Sequence, residues 1–131
     1  MDGAIEFLSD EWLAAVLDAY RDLPPCPGAT GVVEHTVTAA PAGDVTYWVA
    51  VEDGRLSGTG AGPRPDATVA VTLPYPVAAD LAAARLDMSS AFMQGRAKVA
   101  GDHAGLLRLL AAMARPEHRA ATERLSGRTQ V

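Results

Sequence analysis

Cysteine is almost missing from this chain. Cys26 stands alone, which excludes an internal disulfide and any metal site built from several thiolates. It is flanked by prolines with no histidine close in sequence to activate it, so it reads as a structural thiol. Long apolar runs are missing too. None reaches the roughly 18 residues that a membrane-spanning helix needs, and the N-terminal MDGAIEF is acidic where a signal peptide is basic. A cytoplasmic protein without stable membrane insertion is expected. Histidine is sparse: His35, His103 and His118 form no HExxH or His-x-His pair, and no metal site is expected. Basic residues are outnumbered, eleven to sixteen acids for a net charge of -5, which argues against a nucleic-acid partner.

Other catalytic signatures fail on local grounds. No serine sits in a GxSxG elbow. Gly58, Gly60 and Gly62 have the look of a phosphate loop, but Pro63 and a strand follow where a helix N-terminus should receive the pyrophosphate. Glu52 and Asp53 are strand neighbours, so their side chains point to opposite faces and cannot cooperate as a carboxylate pair. No catalytic residue and no cofactor is implied.

What is present suits one globular domain. The 131 residues are 49% apolar and 21% charged, enough to bury a core. We expect a single domain over 1–131, with its core at about 9–114 and a tail, 117–131, that is a last helical turn or frayed. Charge is uneven: residues 1–66 hold 11 acids and 3 bases, and residues 67–131 hold 5 acids and 8 bases. The basic half could face an anionic headgroup, although arginines on a solvated helix give the same count. Arginine supplies ten of the eleven bases and alanine is abundant, a usage that points to a GC-rich bacterial genome.

Periodicity lays out the elements. Residues 9–23 predict a helix capped by Ser9, with Leu8 placed to staple onto Leu13 and a stripe of Trp12, Leu13, Val16, Leu17 and Tyr20. The PPCPG run then breaks it. Strands are expected at 31–39, with Val33, His35 and Val37 on one face, and at 45–52, with Tyr47, Val49 and Val51 on one face. Asp53-Gly54 predicts a type I′ turn into a short third strand, Arg55–Ser57, followed by a loop over 58–65. A fourth strand at 66–73 continues the meander. Helices follow near 77–86 and 88–94, the second capped by Asp87 and stopped by Gly95. A short fifth strand spans 96–101. A helix begun by Asp102 carries Leu106, Leu107, Leu109, Leu110 and Met113 around much of its circumference and is expected to be well buried before Pro116 ends it. The layout is α+β, with helices over one face of an antiparallel sheet.

The apolar excess gathers in the C-terminal helices, where Phe92, Met93, Leu106, Leu109, Leu110 and Met113 offer an adaptable, methionine-containing surface. A tightly packed core satisfies the same periodicity. His35, between Val33 and Val37, reads either as a hydrogen-bonded core histidine or as a polar handle for a ligand.

The stretch from 66 to 110 resembles the sterol carrier protein 2 family. The matching positions are Pro65-Asp66-Ala67, Leu86-Asp87, Ala91-Phe92-Met93-Gln94-Gly95, Lys98 and Gly101-Asp102; upstream, the Trp48 strand and Asp53-Gly54-Arg55 also fit. The similarity covers about residues 9–114. Two departures stand out. Ala84 replaces the glycine usual before the Leu-Asp pair, where a left-handed residue ends a helix. The chain ends Thr129-Gln130-Val131 rather than in a peroxisomal tripeptide.

The resemblance implies a five-stranded, largely antiparallel sheet covered by helices and enclosing an apolar tunnel. It also implies binding of sterols, fatty acids, acyl-CoA or similar lipids, and a role in lipid transport. On that basis a non-enzymatic carrier of a hydrophobic small molecule is expected, as monomer or homodimer. Its cavity would be lined by Trp48, Val49, Val71, Phe92, Met93, Leu106, Leu109, Leu110 and Met113, with His35 or Tyr47 as polar handle. The alternatives are a small cavity-based cyclase or isomerase acting on an apolar biosynthetic intermediate through His35, Tyr47 or Glu34, and an interaction module with a filled core.

Overall fold

The computed structural model describes residues 4–131; the first three residues of the acidic N-terminal stretch lie outside them. A two-residue strand β1 (Ile5–Glu6) leads into helix α1 (Asp10–Tyr20). Ser9 caps it as expected, its hydroxyl accepting from the Trp12 amide at 3.1 Å. Trp12, Leu13, Val16 and Tyr20 are buried. Leu17 is only half-buried, at the edge of the stripe. The helix stops short of residue 23 because a residue before proline avoids the helical region.

Strands β2 (Gly31–Ala40) and β3 (Gly43–Glu52) pair antiparallel, with Val33 opposite Val49 and His35 opposite Tyr47. Asp53 and Gly54 take φ of 49° and 80°, as a type I′ turn requires. The returning strand β4 (Arg55–Ala61) runs beyond the expected Ser57 into the glycine-rich stretch. Trp48 explains those glycines. It lies opposite Gly60 across the ladder, and a Cβ on Gly60 would meet the indole at 2.6 Å. The ring therefore lies over bare backbone on the outer face of the sheet, where the Arg64 guanidinium covers it at 4.2 Å.

The meander is a second correction. Strand β5 (Val69–Pro74) does not continue from β4 but crosses to the far side of β2 and pairs with it in parallel, giving the order β4-β3-β2-β5-β6. The crossing loop is pinned on the way: the Arg64 amide donates to the Glu34 carboxylate at 2.7 Å, and the Thr68 amide donates to the Val32 carbonyl at 2.9 Å. Strand β6 (Lys98–Gly101) adds antiparallel to β5. With neighbours on both sides, β2 is the centre of the sheet, and Val37 is fully buried.

Helices α2 (Tyr75–Ala82) and α3 (Met88–Met93) follow β5. Both end in Schellman motifs. Ala84 and Arg85 amides donate back to Leu81 and Asp80 carbonyls, as Gly95 and Arg96 amides do to Phe92 and Ala91. Gly95 takes its φ of 70° freely, whereas Ala84 holds 60° with a side chain, at a cost of about 1 kcal/mol. The substitution for glycine noted in the sequence thus leaves the helix end intact, with local strain.

Helix α4 (His103–Met113) is capped by Asp102, whose carboxylate accepts from the Gly105 amide at 2.9 Å. It is not buried all round: Leu106, Leu109 and Leu110 face inward while Leu107 is 59% exposed. The tail is neither a single turn nor frayed. Pro116 begins a further helix, α5 (Pro116–Ser126), and β7 (Thr129–Gln130) pairs in parallel with β1. The Ile5 amide donates to the Arg128 carbonyl at 2.7 Å and the Phe7 amide to the Gln130 carbonyl at 3.0 Å. This clasp joins the two ends of the described chain and sets α1 and α5 side by side over the inner face of the sheet.

Candidate functional site

Strand alternation sends one set of side chains to the inner face: Val33, His35 and Val37 from β2, Tyr47, Val49 and Val51 from β3, and Val69, Val71 and Leu73 from β5. Helices α1, α4 and α5 stand off from part of this face and leave a cavity of about 720 Å³. Its floor includes Val49, Val51 and Val71, and its roof includes Trp12, Val16, Leu106, Leu109, Leu110 and Met113. Val49, Val51 and Tyr47 keep some accessible surface although they sit on the covered face; that surface opens onto the cavity. Exposed lining residues mark the mouth: Arg85, Asp87 and Gln94 on the α2–α3 side, Arg119 and Glu123 on α5.

A few polar groups interrupt the aliphatic walls. His35 and Tyr47 stack at 4.7 Å with planes 5° apart, and Trp12 meets Tyr47 edge-on at 5.4 Å. Nearer the mouth, Tyr20 stacks on His118 at 4.5 Å, and its hydroxyl shares a 2.7 Å hydrogen bond with the Thr122 hydroxyl. Thr122 in turn donates to the His118 carbonyl at 3.0 Å.

Burial keeps all of these groups uncharged. Loss of water lowers His35 from an ordinary 6.5 to about 4. It lowers His118 to about 4 as well, with a further push from the Arg115 charge. The Tyr47 hydroxyl is raised well above its usual range by burial and then by Tyr20. Tyr20 is raised by burial against a smaller opposing effect of its Thr122 hydrogen bond. His35 Nδ1 and Trp12 Nε1 are buried without a hydrogen-bond partner among the described residues, an arrangement that costs about 1–3 kcal/mol per group.

Of the site residues expected from sequence, the cavity brings together His35, Tyr47, Val49, Val71, Leu106, Leu109, Leu110 and Met113. Three stand elsewhere. Trp48 points to the outer face because its strand neighbours Tyr47 and Val49 point inward. Met93 is 80% exposed at the end of α3. Phe92 packs against the core without lining the cavity. Glu34, a candidate for acid–base work, also lies on the outer face, bonded to the Arg64 amide. The reading missed Tyr20, His118 and Thr122 as a group. The signal was there: Pro116 at a first helical turn, Glu117 near the N-terminus and Arg124 near the C-terminus mark a helix, and His118, Thr122 and Leu125 fall at helical spacing on one face. Among the described residues no group of three or more metal-ligating side chains occurs, and no helix is long and apolar enough to cross a membrane.

Residues 27–115 match the model of a family described as the SCP-2 sterol transfer family. Among solved structures, the chain is similar to a crystal structure of sterol carrier protein 2, with a TM-score of 0.71 and 16% identity over 91% of this chain and 98% of that one. It is also similar to a solution structure of a conserved protein from Thermus thermophilus, with a TM-score of 0.69 and 18% identity over 95% and 93%. A third is the crystal structure of sterol carrier protein 2 like 2 from Aedes aegypti, with a TM-score of 0.57 and 21% identity over 80% and 91%. At these identities the likeness is one of fold. A search of curated proteins finds no match.

Proposed function

The chain belongs to the SCP-2 sterol transfer family, and from that premise we propose that it is a non-enzymatic carrier that holds one hydrophobic small molecule, a sterol, fatty acid or similar lipid, in its internal cavity. The observation that carries this reading is the volume of that cavity and the character of its walls. Ligand pockets run from roughly 300 to 1,000 Å³, and about 720 Å³ falls inside that range. The space opens at its mouth, and water that enters meets mostly aliphatic walls. Ordered water asks for two to four polar partners each, and Val, Leu, Ala and Met walls supply few. An apolar guest suits them better, with roughly 0.8 kcal/mol gained per buried methylene.

The cavity's own chemistry favours binding over proton transfer. His35 at about 4 is a weak base, Tyr47 with its raised hydroxyl is a weak acid, and the carboxylates of the lining, Asp87 and Glu123, are exposed at the mouth. A general acid or base works best with a pKa near the operating pH. Titration with diphenylhexatriene, an uncharged fluorophore that lights up when buried, tests the reading. Saturable binding at one molecule per chain in the micromolar range is expected; linear, unsaturable uptake by the folded protein would contradict a carrier.

A further inference from the structure

Resting on the carrier reading, we propose that the paired side chains of His35 and Tyr47 form a recognition site for an uncharged oxygen function on the guest, such as an alcohol or ketone, and that a carboxylate is not accepted there. The two residues face each other across the β2–β3 ladder, at the centre of the inner face of the sheet. Their flanking inward positions, Val33, Val37, Val49 and, on β5, Val71, are all valine. Two hydrogen-bonding rings thus occupy the middle of an otherwise aliphatic floor. Their rings stack at 4.7 Å with planes 5° apart, and both line the cavity.

Neither has a hydrogen-bond partner among the described residues. His35 Nδ1 is buried with no partner among the described residues. The Tyr47 hydroxyl makes no side-chain hydrogen bond among them either, unlike Tyr20, which pairs with Thr122. Native structures rarely leave such groups unpaired, and each exception calls for a partner. Nδ1 itself is closed off from the cavity, but the Tyr47 hydroxyl and the rest of the His35 ring line it, and a guest oxygen can partner them there. The Tyr47 O–H donates to it, and a neutral imidazole offers one N–H and one lone pair, so an alcohol can both accept and donate while a ketone can accept.

Charge decides against a carboxylate at this position. The arginines of the lining, Arg85 and Arg119, are exposed at the mouth. Arg64 is on the outer face over Trp48, and Arg115 donates to the carbonyls of Pro24, Gly54 and Ala112. A carboxylate drawn down to His35 and Tyr47 would lose its water without meeting a cation. An acidic guest would have to keep its headgroup at the mouth beside Arg119, since Arg85 is paired with Asp80 at 3.1 Å, and leave the central pair unused.

The experiment is displacement of bound diphenylhexatriene by three guests of equal chain length: hexadecane, hexadecan-1-ol and palmitate, each delivered from cyclodextrin. These are run with the unaltered chain, with the double variant His35→Leu/Tyr47→Phe and with Arg119→Ala. The double variant should weaken hexadecan-1-ol about 10-fold or more while hexadecane, palmitate and diphenylhexatriene itself change less than about 2-fold. Arg119→Ala should weaken palmitate alone. Equal losses for all three guests would reduce the pair to a structural role and overturn the proposal, as would a palmitate loss matching that of the alcohol. If the double variant does not fold, the unaltered chain still decides: hexadecan-1-ol must displace the fluorophore at concentrations well below those of hexadecane. Failure of diphenylhexatriene to bind at all would remove the carrier reading, and this proposal with it, whereas binding without discrimination removes only the proposal.

Discussion

Val49→Phe combined with Val51→Phe should weaken diphenylhexatriene binding by about 100-fold or more, with a melting temperature that is unchanged or higher. Both valines lie on β3 and line the cavity. Elsewhere in a close-packed interior two such enlargements would force neighbours apart, typically for 1–3 kcal/mol each. Here the added rings enter open space, as cavity-filling substitutions do when they stabilise. What they displace is guest. Loss of contact with about 120 Å² of apolar guest surface costs roughly 3 kcal/mol at 25 cal/mol per Å², and that corresponds to about 100-fold in affinity. Thr72→Phe, which adds a ring at an exposed position next to Val71 on the opposite face of β5, should leave binding unchanged. A fall in melting temperature for the β3 pair, or full retention of binding, would mean that the interior is not open where these residues point.

Acid should destabilise the fold between pH 6.5 and 4. His35 and His118 both titrate at about 4 in the folded chain against 6.5 for an ordinary histidine. The unfolded chain therefore binds protons in that window that the folded chain refuses. Stability is full above pH 6.5, declines as pH falls toward 4, and levels off below it. A shift of this size at His35 corresponds to about 3 kcal/mol, a large share of a domain's 5–15 kcal/mol. The carboxyls held below their usual range, Asp66 and Asp87, lose their contribution only at lower pH, so the two effects separate. Urea denaturation at intervals from pH 7.5 to 4 should show the midpoint falling steadily, and His35→Leu should remove about half of the slope. A flat midpoint over this range would mean that the imidazoles are open to water.

Much of this arrangement can be read from the residues, and the exceptions have definite causes. Period-two alternation placed Val33, His35, Val49 and Val71 on the inner face because a strand has only two faces to offer. The same rule put Trp48 outside, since it sits between Tyr47 and Val49; its aromatic character suggested the cavity, but its position forbade it. Met93 lay within the motif that carries the resemblance, yet such a motif marks the end of a helix and does not fix which way its last side chain points. Strand order escaped the reading because nothing local distinguishes a fourth strand that extends a hairpin from one that crosses to the other side of β2; that choice is settled by Thr68 and Arg64 bonding to β2 residues far away in sequence. The C-terminal helix was hidden by its polar composition. It is held by the β1–β7 clasp and by packing on α1, which are non-local contacts, and it brings His118 and Thr122 to the cavity.

Native mass spectrometry, after the protein is stripped of lipid and incubated with one equivalent of hexadecan-1-ol, addresses the hollow interior most directly. A single alcohol adduct on each chain is expected, retained at collision energies that strip nonspecific adducts and absent from Val49→Phe/Val51→Phe under identical conditions. Bare protein at every ratio of alcohol to chain, or a ladder of adducts that the two phenylalanines leave untouched, would contradict a guest held inside the fold.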